Sequence, residues 1–374
     1  MRVGILTHYH VDNQGALLQM FALSKVLQKM GCEVVILEYE RNYDFGSSTL
    51  SLKYNIGVKS VPYFIKEYVV KRGLGNFVYN VKKHLILKDF KKENFLFEKY
   101  SRSQVDAVVI GSDEVFSLEY GINFMMFGHA IGCSRIVAYA PSFGQTDLKA
   151  VEERRCGSLI AAGLKQMEHI SVRDANTFEI VKHLSGIEAP IVCDPVILHD
   201  FSKEIRKLGK VKVPAQKYLL VYSYDANMNK SEEINAIKAY ARKKGLLVVS
   251  AGTYHSWCDR NILADPLEWL YLFTRAEAVI TDTFHGSIAS IITNRPMAVL
   301  LRNNTNKLFN LLLQYGLTDR ILKDINEIEE VMSKDIDFEY VNLKISENRK
   351  GSEEFLRRAL FGSAYSQTLS KVNI

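Results

Sequence analysis

The side chains with the clearest chemical potential in this 374-residue sequence lie where buried strands are predicted to end. His285 follows an apolar run at 278–280, and Gly286 and Ser287 lead from it into isoleucines at helical spacing. Because open α/β sheets bind ligands outside the carboxyl ends of their strands, this is a candidate binding site. A histidine at a helix start could bind an anion or transfer a proton, and Gly286 would let a ligand approach the main chain. The alternative is a polar turn in which His285 bonds only to the protein itself.

Three further residues have suitable chemistry for such a site. Asp113 also follows an apolar run, where it would hold a hydroxyl, act as a base or cap a turn. Arg173 ends a short predicted strand and would bind carboxylate or phosphate, unless it only pairs with Asp174. Lys307 falls in the first turn of a predicted helix, where a cation opposes the helix dipole unless an anion lies nearby.

The loop after the first predicted strand contains His8, His10 and Asp12 at alternate positions, a spacing also found in metallohydrolases. Those sites have a further histidine directly after the aspartate, where this chain has Asn13, so we expect no metal centre. Gly15 stands outside any dinucleotide or phosphate-loop series of glycines. Asn13 and Gly15 are therefore predicted to shape a turn whose N–H groups meet a polar ligand.

The composition limits the class of protein. With 47% hydrophobic residues, a chain of 374 residues suits two α/β domains better than one core. The five cysteines form no paired motif and indicate a reducing compartment, and no run approaches the roughly 20 apolar residues of a spanning helix. A net charge of +6 permits acidic substrates or an anionic membrane surface. We find no nucleic-acid-binding signature, so we expect a cytoplasmic protein, with the inner face of the membrane as the alternative location.

The order of predicted elements indicates two doubly wound, Rossmann-like α/β domains that face each other across a cleft. Residues 1–200 would form the first domain and 201–345 the second, which carries the candidate histidine. Within the first domain, 147–166 is predicted to be one helix. The segment 202–217 is polar and rich in lysine, which is typical of a linker. The last part, 346–374, is predicted to be a helix that returns to the first domain.

Residues 41–103 are predicted to be a long insertion in the first domain. Its middle mixes aromatic residues with lysine pairs at 82–83 and 91–92. One interpretation is one or two amphipathic helices that pack on the domain and leave their lysines in solvent. The other is a basic, aromatic surface that contacts an anionic membrane or a lipid-linked molecule.

Six short motifs, in the right order along nearly the whole chain, resemble those of the polysaccharide pyruvyl transferases. They are Asn13-x-Gly15-Ala16-x-Leu18-Gln19, Val109-Ile-Gly111-Ser112-Asp113, Ser171-Val172-Arg173, Asp194-Pro195, Thr281-Asp282-Thr283-Phe284-His285-Gly286, and the Lys307 helix followed by Leu317-x-Asp319-Arg320. The resemblance implies a glycosyltransferase-B-like fold. It also implies transfer of a pyruvyl group from phosphoenolpyruvate to sugar hydroxyls of a surface polysaccharide precursor, which closes a pyruvate ketal.

The resemblance further implies roles for individual residues. The residues that would bind the donor's carboxylate and phosphate are Arg173, His285, Gly286, Ser287 and Lys307. His285 is the first candidate for the acid that protonates the donor, and Asp113 is the second catalytic candidate. The first domain would be the acceptor side, and its acceptor-binding residues would be Asn13, Gly15, Gln19, Ser112 and Asp113. No cofactor is expected besides phosphoenolpyruvate as the donor substrate.

The chain departs from the family pattern in two places. The family often has glutamine and tryptophan where this chain has Glu114 and Phe116. Some members have an arginine where this chain has Thr283, so that Arg173 and Lys307 remain as donor-binding cations.

Two other functions fit the same sequence. A glycosyltransferase of the same fold would use a nucleotide-sugar donor. A non-catalytic member of a polysaccharide assembly complex would only bind the glycan. For the pyruvyl transferase, the expected partners are phosphoenolpyruvate and a sugar or lipid-linked oligosaccharide, with peripheral membrane contact as a further expectation.

Overall fold

The computed structural model describes residues 1–39, 73–119, 121–209, 211–302 and 305–362, with only the main chain described at 305 and 306. The first part of the predicted insertion, 41–72, and the end of the predicted final helix, 363–374, lie outside these residues.

Two six-stranded parallel sheets form the centres of the two halves. The strands of the first sheet are Arg2–Leu6 (β1), Glu33–Glu38 (β2), Phe97–Lys99 (β3), Ala107–Ile110 (β4), Arg135–Ala138 (β5) and His169–Ile170 (β6), in the spatial order β3-β2-β1-β4-β5-β6. Those of the second sheet are Tyr218–Tyr222 (β7), Leu247–Ala251 (β8), Arg260–Ile262 (β9), Ala278–Thr281 (β10), Met297–Leu300 (β11) and Ile321–Leu322 (β12), in the order β12-β11-β10-β7-β8-β9. The central strands β4, β7 and β10 are buried along their whole length, as expected for a parallel sheet covered by helices.

Helices cover the sheets. The helices are Gln14–Lys29 (α1), Gly73–Asn94 (α2), Leu148–Glu153 (α3), Gly157–Leu164 (α4), Ala175–Ser185 (α5), Pro195–Leu198 (α6), Ser202–Lys207 (α7), Ser231–Lys244 (α8), Pro266–Arg275 (α9), Phe284–Ile292 (α10), Thr305–Gln314 (α11), Ile328–Ser333 (α12) and Phe338–Phe361 (α13). Short 3₁₀ turns lie at Tyr100–Arg102, Phe124–Phe127, Thr318–Arg320 and Ile325–Glu327. None of the described helices combines the length and the apolar character needed to cross a membrane.

Helix α1 joins the two halves. Its first turn is capped by Asn13, whose side chain accepts the N–H of Ala16. The helix is buried almost all round because it packs against α9 and α10 of the second half as well as against its own sheet. One apolar cluster accordingly contains Leu17 of α1, Trp269 of α9 and Ile288 of α10. This shared core fixes the carboxyl ends of the two sheets relative to each other.

Several element boundaries differ from those predicted. The segment 147–166 is two helices, because Arg155 adopts a φ of +53° that interrupts the helical main chain. Helix α10 begins at Phe284 rather than at Ser287, because Thr283 caps it. The predicted linker contains the short helix α7.

The final helix, α13, begins before the predicted residue 346. Asp337 starts it by accepting the N–H of Tyr340, and Gly362, with a φ of +74°, follows its last residue. Its early turns contact the second half, where Asn348 donates to the hydroxyl of Tyr315 at 3.0 Å, and its later turns pack on the first half. The hydroxyl of Ser352, for example, accepts the N–H of Cys193 at 3.0 Å.

Candidate active site

A hollow of about 230 Å³ lies between the two halves, at the carboxyl ends of β1, β4 and β10. Side chains from widely separated segments line it, among them His8, His10, Asn13, Asp113, Glu114, Arg173, Tyr224, Phe284, His285 and Lys307. The four residues whose chemistry the sequence singled out, Asp113, Arg173, His285 and Lys307, thus face one space. Parallel sheets produce this convergence because their strand ends meet at one edge.

Arg173 is buried, and its charge is balanced inside the protein. Its Nη1 donates to Oδ2 of Asp194 at 3.0 Å and lies 3.7 Å from Oδ1 of Asp113. Asp174, the alternative partner, instead caps α5 by accepting the N–H of Thr177. The Nε of Arg173 is buried without a hydrogen-bond partner among the described residues. Because an unpaired buried donor is costly, this N–H is suited to an anionic ligand.

The ring of Phe284 supports both cations of the site. The guanidinium carbon of Arg173 lies 4.3 Å from the ring centroid, and Nζ of Lys307 lies 5.9 Å from it, both within the range of cation–π attraction. A neighbouring hollow of about 360 Å³ shares these three residues and continues over apolar side chains such as Ile191 and Leu311. The site is therefore part of a longer groove.

His285 lies in the first turn of α10, where packing holds its ring. A Cβ at Gly15 of α1 would lie only 2.4 Å from Cβ of His285, so this approach of the two helices requires glycine. The Nε2 of His285 is 3.8 Å from Oδ2 of Asp194. Burial lowers the pKa of the imidazole and outweighs the attraction of the Asp194 carboxylate. The imidazole is consequently neutral at pH 7 in the free protein.

Asp113 behaves in the opposite way. Burial alone would raise the pKa of its carboxyl group, but the basic side chains around it hold that pKa below the usual range. Those side chains are His285, Arg173, His8 and Lys307. The carboxylate therefore stays ionised, which suits it to accept hydrogen bonds from hydroxyl groups and makes it a weak base. A φ of +77° at this residue turns the chain directly after β4.

Lys307 forms an ion pair with Glu114 across the hollow. Both side chains are largely buried, with exposed fractions of 11% and 20%. The carboxylate supplies the anion that a cation in the first turn of a helix needs. An incoming anion would compete with Glu114 for Lys307.

Of the five residues predicted to bind the acceptor, two line the hollow and three do not. Gly15 is one of the three, because it packs against the side chain of His285. Asn13 and Asp113 line the hollow. Gln19 and Ser112 are fully buried around Thr7: Nε2 of Gln19 donates to its hydroxyl at 3.3 Å, and that hydroxyl donates to the carbonyl of Ser112 at 3.0 Å. Gln19 and Ser112 therefore support the strand ends and do not line the hollow, which corrects their predicted placement.

Gly286 and Ser287 also lie away from the hollow. The N–H of Gly286 donates to the hydroxyl of the capping Thr283 at 3.0 Å, and a Cβ at Gly286 would lie 2.3 Å from Oγ1 of Thr281. Ser287 is fully buried and donates to the carbonyl of Thr283. Glycine is thus required for packing of α10 against β10. The predicted approach of a ligand to Gly286 is wrong.

Asp194 is the site residue that the sequence did not identify. The sequence indicates no role for it beyond the Asp194-Pro195 motif, and its position before a proline is that of a helix cap. Its Oδ1 accepts the N–H of Val196 and caps α6. Its Oδ2 bonds Arg173 and faces His285. One buried carboxylate therefore positions the guanidinium and the imidazole together.

The loop after β1 does not group three metal ligands. His8 and His10 line the hollow, but Asp12 pairs with His84 of α2 at 2.6 Å and with Lys91 at 3.7 Å. Within the described part of the chain, no three His, Cys, Asp or Glu side chains are grouped as metal ligands would be. The loop instead places the imidazoles of His8 and His10 at the rim of the hollow, and Asp12 holds the loop against α2.

Helix α2 covers part of the second sheet. The hydroxyl of Tyr79 donates to the carbonyl of Ile262 at 2.8 Å, and Nζ of Lys83 donates to that of Gly252 at 3.1 Å. Asp225 accepts from two asparagines of the same helix. These three acceptors lie at or just beyond the carboxyl ends of β9, β8 and β7. In the described part of the chain, the hollow therefore reaches this sheet edge beside β10 and at Tyr224, just after β7, while α2 covers the ends of β8 and β9.

Comparison with known proteins agrees with the fold. The family model for polysaccharide pyruvyl transferase matches residues 13–304, and no curated protein matches the sequence significantly. Among solved structures, the chain is similar to the UDP-GlcNAc 2-epimerase of Methanocaldococcus jannaschii in complex with UDP-GlcNAc and UDP. Identity is 14% and the TM-score 0.52, over 97% of this chain and 100% of that one. It is also similar to Arabidopsis thaliana UGT89C1 complexed with UDP-L-rhamnose, with 10% identity and a TM-score of 0.51 over 96% and 98% of the two chains. These likenesses confirm the predicted fold class of two facing Rossmann-like domains.

Proposed function

Because the chain belongs to the polysaccharide pyruvyl transferase family, we propose that it moves a pyruvyl group from phosphoenolpyruvate to two hydroxyls of a sugar. The sugar is part of a surface polysaccharide precursor, either free or linked to a lipid. The products are a pyruvate ketal and inorganic phosphate. No cofactor takes part.

The observation that carries this proposal is the convergence of two cations and a histidine on one hollow. Arg173 lies in the loop between β6 and α5, His285 in α10 and Lys307 in α11, and the sheet edges bring the three together. Phosphoenolpyruvate carries a carboxylate and a phosphate on a three-carbon frame. A guanidinium suits the planar carboxylate or two phosphate oxygens, and an ammonium suits phosphate as a point charge.

The proposed reaction balances without an oxidant, a metal or water. A proton adds to the donor's methylene carbon, which becomes a methyl group and leaves the central carbon electron-poor. One sugar hydroxyl adds to that carbon and loses its proton. The bond between the central carbon and the phosphate oxygen then breaks, and phosphate leaves with the bonding electrons. A second hydroxyl adds to the same carbon and loses its proton. Of the two protons released by the hydroxyls, one replaces the proton that was added to the methylene carbon, and the other goes to phosphate.

The residues divide this chemistry between them. His285 delivers the proton to the methylene carbon, and Asp113 accepts a hydrogen bond from the attacking hydroxyl. His285 is neutral in the free protein because burial lowers its pKa. The negative charges of the donor raise that pKa again, so donor binding is coupled to proton uptake. Lys307 exchanges Glu114 for the donor's phosphate, and this preorganised positive charge stabilises phosphate as it leaves.

Replacing Asp194 with asparagine separates its charge from its capping role, because asparagine caps a helix as well as aspartate does. Activity should fall as pH rises through the pKa of His285, because the acid must be protonated. The Asp194 carboxylate raises that pKa. In Asp194→Asn the falling limb of kcat/KM for the donor should therefore move to more acid pH, with a loss at pH 7 on the order of tenfold.

The control for this variant is Asp337→Asn. Asp337 also caps a helix, α13, through its side chain, but it does not line the hollow. Its pH profile should match that of the wild type. An unmoved limb in Asp194→Asn, with folding intact by thermal melting, would contradict the role assigned to this carboxylate.

The proposed function is tested by incubating the protein with phosphoenolpyruvate and a panel of saccharides that carry neighbouring hydroxyl pairs. We expect phosphate release only when an acceptor is present, in equal amount to a saccharide product heavier by one ketal-linked pyruvyl group. Phosphate release with no modified saccharide, or sugar transfer from a UDP-sugar, would contradict the proposal.

A nucleotide-sugar donor is the second candidate, because both similar structures are described as complexes with UDP or UDP-sugars. The position of α2 argues against it. In an open parallel sheet a nucleotide would bind outside the carboxyl ends of the strands, and α2 covers those of β8 and β9 and bonds Asp225 beyond β7. Calorimetry separates the two candidates: binding of phosphoenolpyruvate without binding of a UDP-sugar supports the pyruvyl transferase, and the reverse supports the alternative.

A further inference from the structure

Helix α2 carries an exposed apolar stripe. Leu74, Val78, Val81 and Leu85 recur at helical spacing and are 69%, 48%, 45% and 53% exposed. Phe77 lies beside them and is 42% exposed. Single exposed apolar residues are common, but five that adjoin on one helix form a patch of the kind that marks an interaction site.

Lysines continue the stripe toward the end of the helix. Lys88 and Lys92 follow Leu85 on the same face, and both are exposed. Of the acidic residues in this part of α2, Asp89 lies four residues after Leu85 at the edge of that face, and Glu93 lies farther round the helix. The helix therefore presents an apolar face with positive charge at one end, which complements the headgroups and acyl boundary of an anionic lipid surface.

This surface differs from the basic aromatic surface that the sequence suggested. Tyr79 and Phe90 are buried. Lys83 donates to a main-chain carbonyl of the second half, and Lys91 pairs with Asp12. These side chains hold α2 against the protein, so among the described residues of this helix the stripe on the opposite face is the exposed apolar surface.

The same helix contacts both rims of the hollow. On one side His84 and Lys91 pair with Asp12, whose neighbours His10 and Asn13 line the hollow. On the other side an amide of α2 donates to Asp225 at 3.0 Å, and the preceding Tyr224 lines the hollow. A surface that binds the outer face of α2 would therefore lie beside the mouth of the site.

We propose that the stripe of α2 docks the protein on an anionic lipid bilayer, with the helix lying in the interface. The docking rests on the exposed stripe and its lysines, and the proposed function supplies its purpose. A sugar attached to a membrane lipid reaches the hollow without leaving the bilayer. The occupant of the stripe is thus a bilayer whose surface carries acidic phospholipids.

The test is cosedimentation with vesicles. The wild-type protein should bind vesicles of phosphatidylglycerol and phosphatidylcholine, bind vesicles of phosphatidylcholine alone more weakly, and lose affinity at high salt. The double variant Val81→Asp, Leu85→Asp should lower binding to the mixed vesicles by about tenfold or more, because it removes apolar contacts and adds charge of the wrong sign.

The matched control is Leu343→Asp on α13, where the leucine is 55% exposed but lies outside the stripe. It should bind the mixed vesicles as the wild type does. Absence of wild-type binding, or equal loss in both variants, overturns the proposal. Two further results would mean that protein covers the stripe. In the first, the wild type binds no vesicles and forms a dimer that the double variant dissociates. In the second, the wild type binds no vesicles and the double variant melts at a lower temperature.

A second readout separates the docking from the proposed function. The double variant should transfer a pyruvyl group to a water-soluble acceptor as fast as the wild type, since the stripe does not line the hollow. If the wild type binds mixed vesicles but transfers nothing to any acceptor, the proposed function fails and the docking stands. If transfer occurs and vesicle binding does not, the docking fails alone.

Discussion

Turnover of the His285→Gln variant should fall by ~10²–10⁴-fold, the range that positioned proton transfer contributes. Glutamine fills similar space and keeps a polar end, but it cannot carry a proton to the donor's methylene carbon. Binding of phosphoenolpyruvate should change much less, by about tenfold or less, because Arg173 and Lys307 remain. Phosphate release measures turnover, and calorimetry measures donor binding.

His129→Gln is the control for this variant. Nε2 of His129 bonds the carbonyl of Leu159 at 2.9 Å, and the residue does not line the hollow. Its turnover should match that of the wild type. If His285→Gln kept turnover within a few-fold, or if cells carrying it made fully pyruvylated polymer, the histidine would not be the acid. The non-catalytic, glycan-binding role would then gain support.

The KM for phosphoenolpyruvate should rise by ~10–100-fold in Arg173→Lys, the loss that corresponds to one or two charge-assisted hydrogen bonds. Lysine keeps the charge but has no planar pair of N–H groups for a carboxylate or phosphate. It also fits less well between Asp194 and the ring of Phe284, so some loss of thermal stability should accompany the change. Steady-state kinetics with varied donor measure the effect.

Arg320→Lys separates donor binding from stability. Arg320 is fully buried and donates to the carbonyls of Val331 and Lys334, away from the hollow. Its lysine variant should melt at lower temperature with an unchanged donor KM. If Arg173→Lys also melted lower with the donor KM unchanged, Arg173 would be structural only.

The fold and the centre of the site are predictable from local pattern. Apolar runs that end at Asp113 and His285 identify two strand ends, and parallel sheets must bring such ends to an edge. The alternation of strands and helices then predicts two domains and the hollow between them. The spacing of the apolar residues, which sequence shows directly, is sufficient for this much.

The partners of the site residues are not predictable in this way, because they depend on which segments meet in space. Asp194 has the sequence of an ordinary helix cap, yet its second oxygen bonds Arg173. Glu114 and Lys307 are far apart in sequence and pair across the hollow. From the sequence, Gly286 could be needed either for a ligand to approach the main chain or for α10 to pack on a strand. The packing of α10 against β10 shows that the second reason applies.

Helix α2 shows a further limit of sequence pattern. Both of its faces carry apolar residues, so periodicity cannot tell which face packs on the protein. Leu87 and Phe90 are buried, whereas Val81 and Leu85 are exposed, although all four are apolar. The contacts of α2 with the second half determine which face is buried, and those contacts link positions more than 140 residues apart.

We expect the two cations and the histidine to bind one phosphorylated three-carbon acid, and a crystal structure with phosphoenolpyruvate tests this most directly. The donor should lie in the hollow, with Arg173 on its carboxylate or phosphate and its methylene carbon facing His285. Lys307 should have left Glu114 for the phosphate. A donor bound elsewhere, or Lys307 still paired with Glu114 while the hollow binds only a nucleotide, would contradict the claim.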